Sequence, residues 1–225
     1  MKLSDDTVNV LKNFSGINQS LQFKTGNTLK TISPLRTIFV EATVSETFPK
    51  EFALYDLNKL LAKVSLYKGA ELSFDDDKIN IATENKKKSD YIKYCSPKVI
   101  VVPPEKNISL GDADCSFSLS QEDLDWMKKS AGISGSPNFV FESDGDKITF
   151  TATDVKDDAA DQSTIEIGSG NGTKFKVVMK VENFKLMEGS YDVAVSKRGM
   201  ARFKNKEVAI TYFIAIEAAA STFGE

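Results

Sequence analysis

The stretch from Leu3 to Ile17 returns without a gap as Leu119 to Ile133, 116 positions further along the chain. Ser4-Asp5-Asp6 is answered by Ser120-Gln121-Glu122, Leu11-Lys12-Asn13 by Met127-Lys128-Lys129, and Gly16-Ile17 by Gly132-Ile133. Self-similarity at a fixed offset means one unit used twice. In a chain of 225 residues, each copy is long enough to bury a core of its own. The boundary is placed so that residues 1–108 form one domain, with most of the connector, and residues 109–225 the other.

The repeated stretch reads as a helix. Ser4 is a good N-cap, Asp5 and Asp6 favour the first turn, and Val8, Leu11 and Phe14 recur at three-residue spacing with Val10 beside them. In the copy Ser120 caps, Glu122 and Asp123 open the helix, and Leu124, Trp126 and Met127 are apolar. Gly16 and Gly132 mark the ends. Hairpins are expected next, at Leu21–Leu29 around Gly26-Asn27 and at Phe139–Phe150 around Asp144-Gly145. The second copy then carries an acidic stretch, Asp154 to Asp161, that the first lacks, so later features should be displaced further. They are: Ala53–Leu60 matches Val177–Phe184 at an offset of 124, each an apolar strand running into a short helix. Leu57, Leu60, Leu61 and Val64 make one face of the first of these helices, with Lys59 and Lys63 on the other. Strands follow at 70–74 and 78–83, and in the second half at 190–196, 200–204 and 207–217.

Composition narrows the function. Hydrophobic residues at 41% and charged residues at 27% fit a globular protein, and no apolar run is long enough to span a membrane. The first residues enter a capped helix instead of a charged and then apolar leader, so residence in the cytosol is expected. The chain has no histidine, which removes His triads, His-ligated zinc and His general bases together. Cys95 and Cys115 lack metal-ligand spacing and read as reduced structural thiols. No catalytic residue, cofactor or metal site is assigned. The formal net charge of -3 argues against a dominant basic surface but not against a basic face.

Several motifs have plain readings. Gly168-Ser169-Gly170-Asn171-Gly172-Thr173-Lys174 fits neither phosphate-loop template and reads as a hairpin turn. Asp75-Asp76-Asp77 and the Asp154–Asp161 stretch lack the ligand alternation of a calcium loop and read as solvated acidic loops. Lys86-Lys87-Lys88 and the basic run Lys197–Lys204 read as solvated loop or hairpin faces. The helix lysines differ, since Lys12 and Lys128 hold equivalent positions and are expected to face equivalent directions. With Lys59, Lys63, Lys129 and Lys180 they form either a shared cationic surface or six separately solvated side chains. Val99-Ile100-Val101-Val102-Pro103-Pro104 is either an extra edge strand or the lining of a groove for a partner peptide.

One set of residues recurs in order along nearly the whole chain. It comprises Met1-Lys2-Leu3-Ser4 with Thr7, Leu11-Lys12-Asn13-Phe14, Ile17-Asn18, Tyr55-Asp56-Leu57-Asn58, Val101-Val102-Pro103-Pro104 with Lys106, Glu122-Asp123-Leu124, Gly189-Ser190-Tyr191 and Ala215-Ile216-Glu217-Ala218. This pattern resembles the DNA sliding clamps, most closely those of T-even-type bacteriophages. The resemblance implies an α+β DNA-clamp fold with two similar domains per protomer. Three protomers would close head to tail into a homotrimeric ring, helices lining the hole and antiparallel sheets outside. It implies no enzymatic activity and no cofactor. The ring would encircle double-stranded DNA without sequence preference and tether the replicative DNA polymerase, in the cytoplasm of an infected bacterium. A clamp-loader ATPase would open it, and replication or transcription factors would dock on it. In that frame Lys12, Lys59, Lys63, Lys128, Lys129 and Lys180 face DNA, and Val101, Val102 and Pro103 line the partner-peptide groove. The competing expectation is a protein-interaction scaffold of two similar α+β domains that forms no ring.

Overall fold

The structure, a computed structural model, describes residues 1–67 and 69–224. The chain divides into two compact units, Met1–Lys106 and Asn107–Glu225.

The first unit runs α1 (Asp5–Ile17), β1 (Leu21–Phe23), β2 (Gly26–Ile32), β3 (Ile38–Phe48), β4 (Phe52–Leu54), α2 (Leu57–Ser65), β5 (Glu71–Phe74), β6 (Lys78–Ala82) and β7 (Ser89–Lys93). Ser4 caps α1 as its sequence predicts, its hydroxyl accepting from the Thr7 amide at 3.2 Å. The helix runs through Gly16 to Ile17, where the Asn18 amide closes the last turn on the Phe14 carbonyl. Gly16 is therefore not a terminator: it sits on the exposed side with open space around it. Val10, Leu11, Phe14 and Ile17 are buried, and α1 packs on α2 and β3. Full burial of a side chain such as Leu11 or Phe14 contributes about 1.5–3 kcal/mol.

The hairpin expected over Leu21–Leu29 does not form. Leu21 and Phe23 of β1 pair with Leu54 and Phe52 of β4, while β2 pairs with β3, where Lys30 lies opposite Glu41 in a 2.8 Å ion pair. Aromatic burial overrides the turn signal. Phe23 stacks on Phe52 at 4.5 Å and meets Phe48 at 4.8 Å, and Phe52 in turn meets Phe74 and Tyr94. The sheet β5-β6-β7 is antiparallel throughout, and Asp75-Asp76-Asp77 form its first turn, held by Lys50 and Lys78.

The second unit runs β8 (Cys115–Leu119), α3 (Gln121–Ser134), β9 (Asn138–Asp144), β10 (Lys147–Thr153), β11 (Ser163–Ser169), β12 (Lys174–Lys180), β13 (Tyr191–Ser196), β14 (Met200–Asn205), β15 (Ile210–Ala215) and β16 (Thr222–Phe223). Strands β8, β13, β14 and β15 pair antiparallel in the order 8-13-14-15, and the other five in the order 11-10-9-12-16. Phe117 of β8 touches Phe141 and Phe175, joining the two sheets. The expected β9–β10 hairpin forms around Gly145 at φ +104. α3 passes through Gly132 and stops at Gly135, whose φ of +65 supplies the left-handed cap.

The Gly168–Lys174 segment is not a hairpin turn. β11 and β12 lie on opposite flanks of the β9–β10 hairpin, so residues 170–173 cross over its tip. The Gly170 and Gly172 amides donate to the Asp146 and Gly145 carbonyls. A β-carbon on Gly170 would collide with the Gly145 carbonyl, so the crossing requires glycine there. The acidic stretch 154–161 is the largely exposed connector between β10 and β11.

Candidate nucleic-acid interface

The six candidate lysines do not share one environment. On α1 the buried stripe is Thr7, Val10, Leu11, Phe14 and Ile17, so Lys12 points to the opposite side and is exposed. On α3 the buried residues are Leu124, Met127 and Ala131, the counterparts of Val8, Leu11 and Ser15. Trp126 and Ile133, the counterparts of buried Val10 and Ile17, are 48% and 88% exposed. The two helices are therefore rolled by about one residue, roughly 100°, relative to their own cores. This corrects the expected equivalence of Lys12 and Lys128. Lys128 lies on the flank of α3, half-buried, and burial holds its amine below the usual lysine range against the raising effect of Asp125. Lys129 is the residue that faces away from the buried stripe, as Lys12 does on α1.

On α2, Asp56 caps the helix by accepting from the Lys59 amide at 3.2 Å, and Leu57 and Leu60 are buried. Lys59 is exposed. Lys63 is committed within the protein: its amine donates to Asp90 Oδ1 on β7, and Asp90 Oδ2 accepts from the Tyr67 hydroxyl at 2.9 Å. The hydrogen bonds from Lys63 and then from Tyr67 bring the Asp90 carboxyl down from its ordinary pKa. Neither Asp90 nor Tyr67 is visible as a partner in the sequence, where they lie in different elements and no periodicity links them.

Lys180 is not on a helix. It ends β12 and precedes a single 3-10 turn, Val181–Asn183, standing where the first unit has α2. The helix fails here because Phe184 leaves the turn at once for the core, its ring 4.7 Å from Phe139 and 5.4 Å from Phe203. Lys180 is exposed and lies 3.9 Å from Glu182. Beside α3 this leaves a cavity of about 860 Å³, lined by Lys128, Lys180 and Lys156 together with Asp154, Glu182 and Glu217. Lys128 and Lys180 are thus brought together, and Lys12, Lys59 and Lys129 stand exposed on their helices with no ion pair among the described residues.

The connector is not an edge strand. After a 3-10 turn at Pro97–Val99, residues 100–114 carry no regular structure; Val101, Val102 and Pro103 are half-buried and Val99 is 64% exposed. The Val101 carbonyl accepts from Asn18 Nδ2 at 3.1 Å, and the same amide nitrogen donates to Ile32 at 2.9 Å, fixing the start of the connector to the end of α1. Both thiols are free, and burial pushes that of Cys115 up to about 12. No helix is long and apolar enough to cross a membrane, and no group of three metal-ligating side chains forms among the described residues.

Residues 4–102 match the family DNA polymerase processivity factor, and residues 116–218 match the family gp45 sliding clamp, C terminal. The chain is 31% identical to the sliding clamp of Vibrio phage KVP40 over 97% of its own length and all of that protein. It is 28% identical to the sliding clamp of Enterobacteria phage T4, with 97% of each chain covered. Among solved structures it superimposes on the proliferating cellular nuclear antigen of Entamoeba histolytica with a TM-score of 0.71 and 11% identity, over 96% of this chain and 97% of that one. A β clamp of H. pylori gives 0.71 at 12% identity, over 96% of this chain and 65% of that one. The duplicated helix-and-sheet unit, its antiparallel sheets and the matches along both halves make this chain a member of the sliding clamps, the DNA polymerase processivity factors.

Proposed function

We propose that this sliding clamp closes as a homotrimer around duplex DNA and holds it through exposed lysines on its helices, chiefly Lys12, Lys59 and Lys129. One observation carries the assignment: on α1 and on α3 the side opposite the buried stripe bears an exposed lysine with no ion pair among the described residues, although the two helices are rolled differently. Such lysines meet phosphates by charge alone, without reading bases, which suits a ring that must slide. Lys128 and Lys180 contribute from the rim of their cavity, and Lys63 is held in reserve by Asp90.

Ring closure draws on the sheet edges. Among the described residues β7 pairs only with β6 and β11 only with β10, so each unit ends in an open strand edge. Heterologous contacts of such edges between copies give a closed ring when the rotation closes. The work done is topological. Encirclement keeps the clamp on DNA, and a polymerase tethered to it gains effective concentration at the primer end. This requires no bond-making chemistry, so the protein acts as an accessory factor and not as an enzyme. Partner tail peptides dock at Val101, Val102 and Pro103, a clamp-loader ATPase opens the ring, and the assembly works in the cytoplasm of the infected host.

The test combines native mass with loading. Lys12→Ala, Lys59→Ala and Lys129→Ala together should leave a trimer that loads poorly and supports shorter processive synthesis at low salt, with the gap from the parent narrowing as salt rises, because the parent has more charge contacts to lose. Unchanged loading and synthesis would refute the assignment of these lysines. A protein that stays monomeric at every working concentration would refute the ring.

A further inference from the structure

Among the described lysines of α1, α2 and α3, Lys63 is the one held in an ion pair, and the pairing has a cause in the fold. Its amine is not solvated like those of Lys12, Lys59 and Lys129; it sits on Asp90, which is itself fixed from the other side by the Tyr67 hydroxyl. Both side chains remain about one-third exposed, at 30% for Lys63 and 32% for Asp90, so the pair is open to a competing anion. Lys59 lies one helical turn earlier on the same helix with its charge uncommitted.

We propose that Asp90 is a positioning residue that sets how strongly the clamp grips DNA, by holding Lys63 away from the phosphates while the ring slides. This rests on the reading of the α2 lysines as DNA-facing. A phosphate competes with Asp90 for one amine, so Lys63 engages DNA only transiently and the barrier between adjacent positions stays low. Tyr67 keeps Asp90 in register: its hydrogen bond fixes the carboxylate rotamer in which the second oxygen receives Lys63. Without Asp90 the amine becomes a permanent phosphate ligand. Each Lys63 so released steepens the log–log salt dependence of DNA interaction by up to about 0.9.

The experiment measures one-dimensional diffusion of loaded clamps on end-blocked duplex DNA across a salt series, with native mass as the assembly check. Asp90→Asn should slow diffusion about twofold or more at low salt, with the gap closing as salt rises. Tyr67→Phe should slow it less. Lys63→Met combined with Asp90→Asn should return diffusion to the speed of Lys63→Met alone, and Asp90→Glu should stay close to the parent. Asp112→Asn, at an exposed carboxylate of the second unit, controls for the change in net charge. Slowing that persists in the Lys63→Met background, or that Asp112→Asn reproduces, would overturn the role of Asp90. If the triple Lys12, Lys59 and Lys129 variant loads and supports synthesis normally, the DNA-facing reading itself falls and takes this proposal with it. A normal Asp90→Asn beside a defective triple variant refutes the Asp90 proposal alone.

Discussion

The N-terminal end of the long helix α1 is tied to β3 at one carboxylate, and removing that carboxylate should loosen the start of the helix that carries Lys12. Glu46 of β3 accepts from the Ser4 amide at 2.5 Å through one oxygen, and from the hydroxyls of Thr7 and Ser45 through the other. Thr7 is 1% exposed, so its hydroxyl has no ready replacement from water. A hydrogen bond to a charged group contributes about 1.5–3 kcal/mol net, and an orphaned buried donor costs about 1–3 kcal/mol. The Ser4 hydroxyl lies 3.1 Å from that of Thr7 and can take over part of the load, so Glu46→Ala should lose about 2–3 kcal/mol. Glu46→Gln, which keeps an acceptor for the Ser4 amide, should lose about 1 kcal/mol. Burial pushes the Glu46 carboxyl up, but the hydrogen bonds from Thr7 and Ser4 outweigh it and leave the pKa below 4.5. A carboxyl depressed on folding stabilises above its unfolded pKa and ceases to do so as pH falls through its folded value. The stability gap between parent and Glu46→Ala should therefore be full at pH 7 and narrow below 4.5. Urea unfolding at fixed protein concentration, with the m-value checked for constancy, measures both. A loss under about 0.5 kcal/mol at pH 7, or a gap that does not narrow on acidification, would refute the anchoring argument.

Three further substitutions test other parts of the structure. Gly170→Ala should cost about 1–3 kcal/mol in urea unfolding, because its β-carbon meets the Gly145 carbonyl; Gly168→Ala, with open space around it, is the comparison that should cost less. Asn18→Ala removes the donor that binds both the Ile32 and Val101 carbonyls and the acceptor for the Ser20 amide and hydroxyl. It should lose about 2–4 kcal/mol and speed amide hydrogen exchange at Ile100, Val101 and Val102, and unchanged exchange there would show the connector held by something else. Lys128→Met exchanges a half-buried amine, without an ion pair among the described residues, for an apolar side chain of similar length. It should leave stability within about 0.5 kcal/mol of the parent or above it, whereas a clear loss would mean that the amine has a favourable partner in the cavity.

Capping and periodicity made both long helices legible, since Ser4 and Ser120 act locally on amides three residues away. The β9–β10 hairpin was legible for the same reason: its Asp144-Gly145 turn and its alternation act in one stretch of chain. The failures share a different cause. Gly26-Asn27 carries a hairpin signal, but β1 is claimed by β4, about thirty residues away, because Phe23 gains a stack with Phe52 there. Gly16 and Gly132 carry a stop signal, yet a glycine with space around it on a helix's exposed side costs only about 1 kcal/mol, less than the burial of Ile17 or the cap at Gly135 returns. The crossing at 170–173 and the Lys63–Asp90–Tyr67 cluster depend on contacts between segments that share no local pattern.

The repeat itself is where sequence reasoning reached furthest and where it needed correction. An ungapped match transfers position along a helix, but the direction of a side chain also depends on which neighbours form the buried stripe. Val10 and Phe14 of α1 have become Trp126 and Ser130 in α3, which removes two large core contacts from one side of the stripe, and Leu124 in place of Val8 strengthens the other. The helix rolls toward Leu124. That roll carries Lys128 from the outward direction of Lys12 onto the flank of the cavity, and it carries position 129 outward in its place. At position 129 the chain has Lys where the first copy has Asn13. The outward charge on the helix therefore survives although the residue that supplies it has changed. In the ring proposed above that charge has a use, since Lys12 and Lys129 would both meet phosphates, whereas a scaffold that binds no DNA has no physical need of it on both helices.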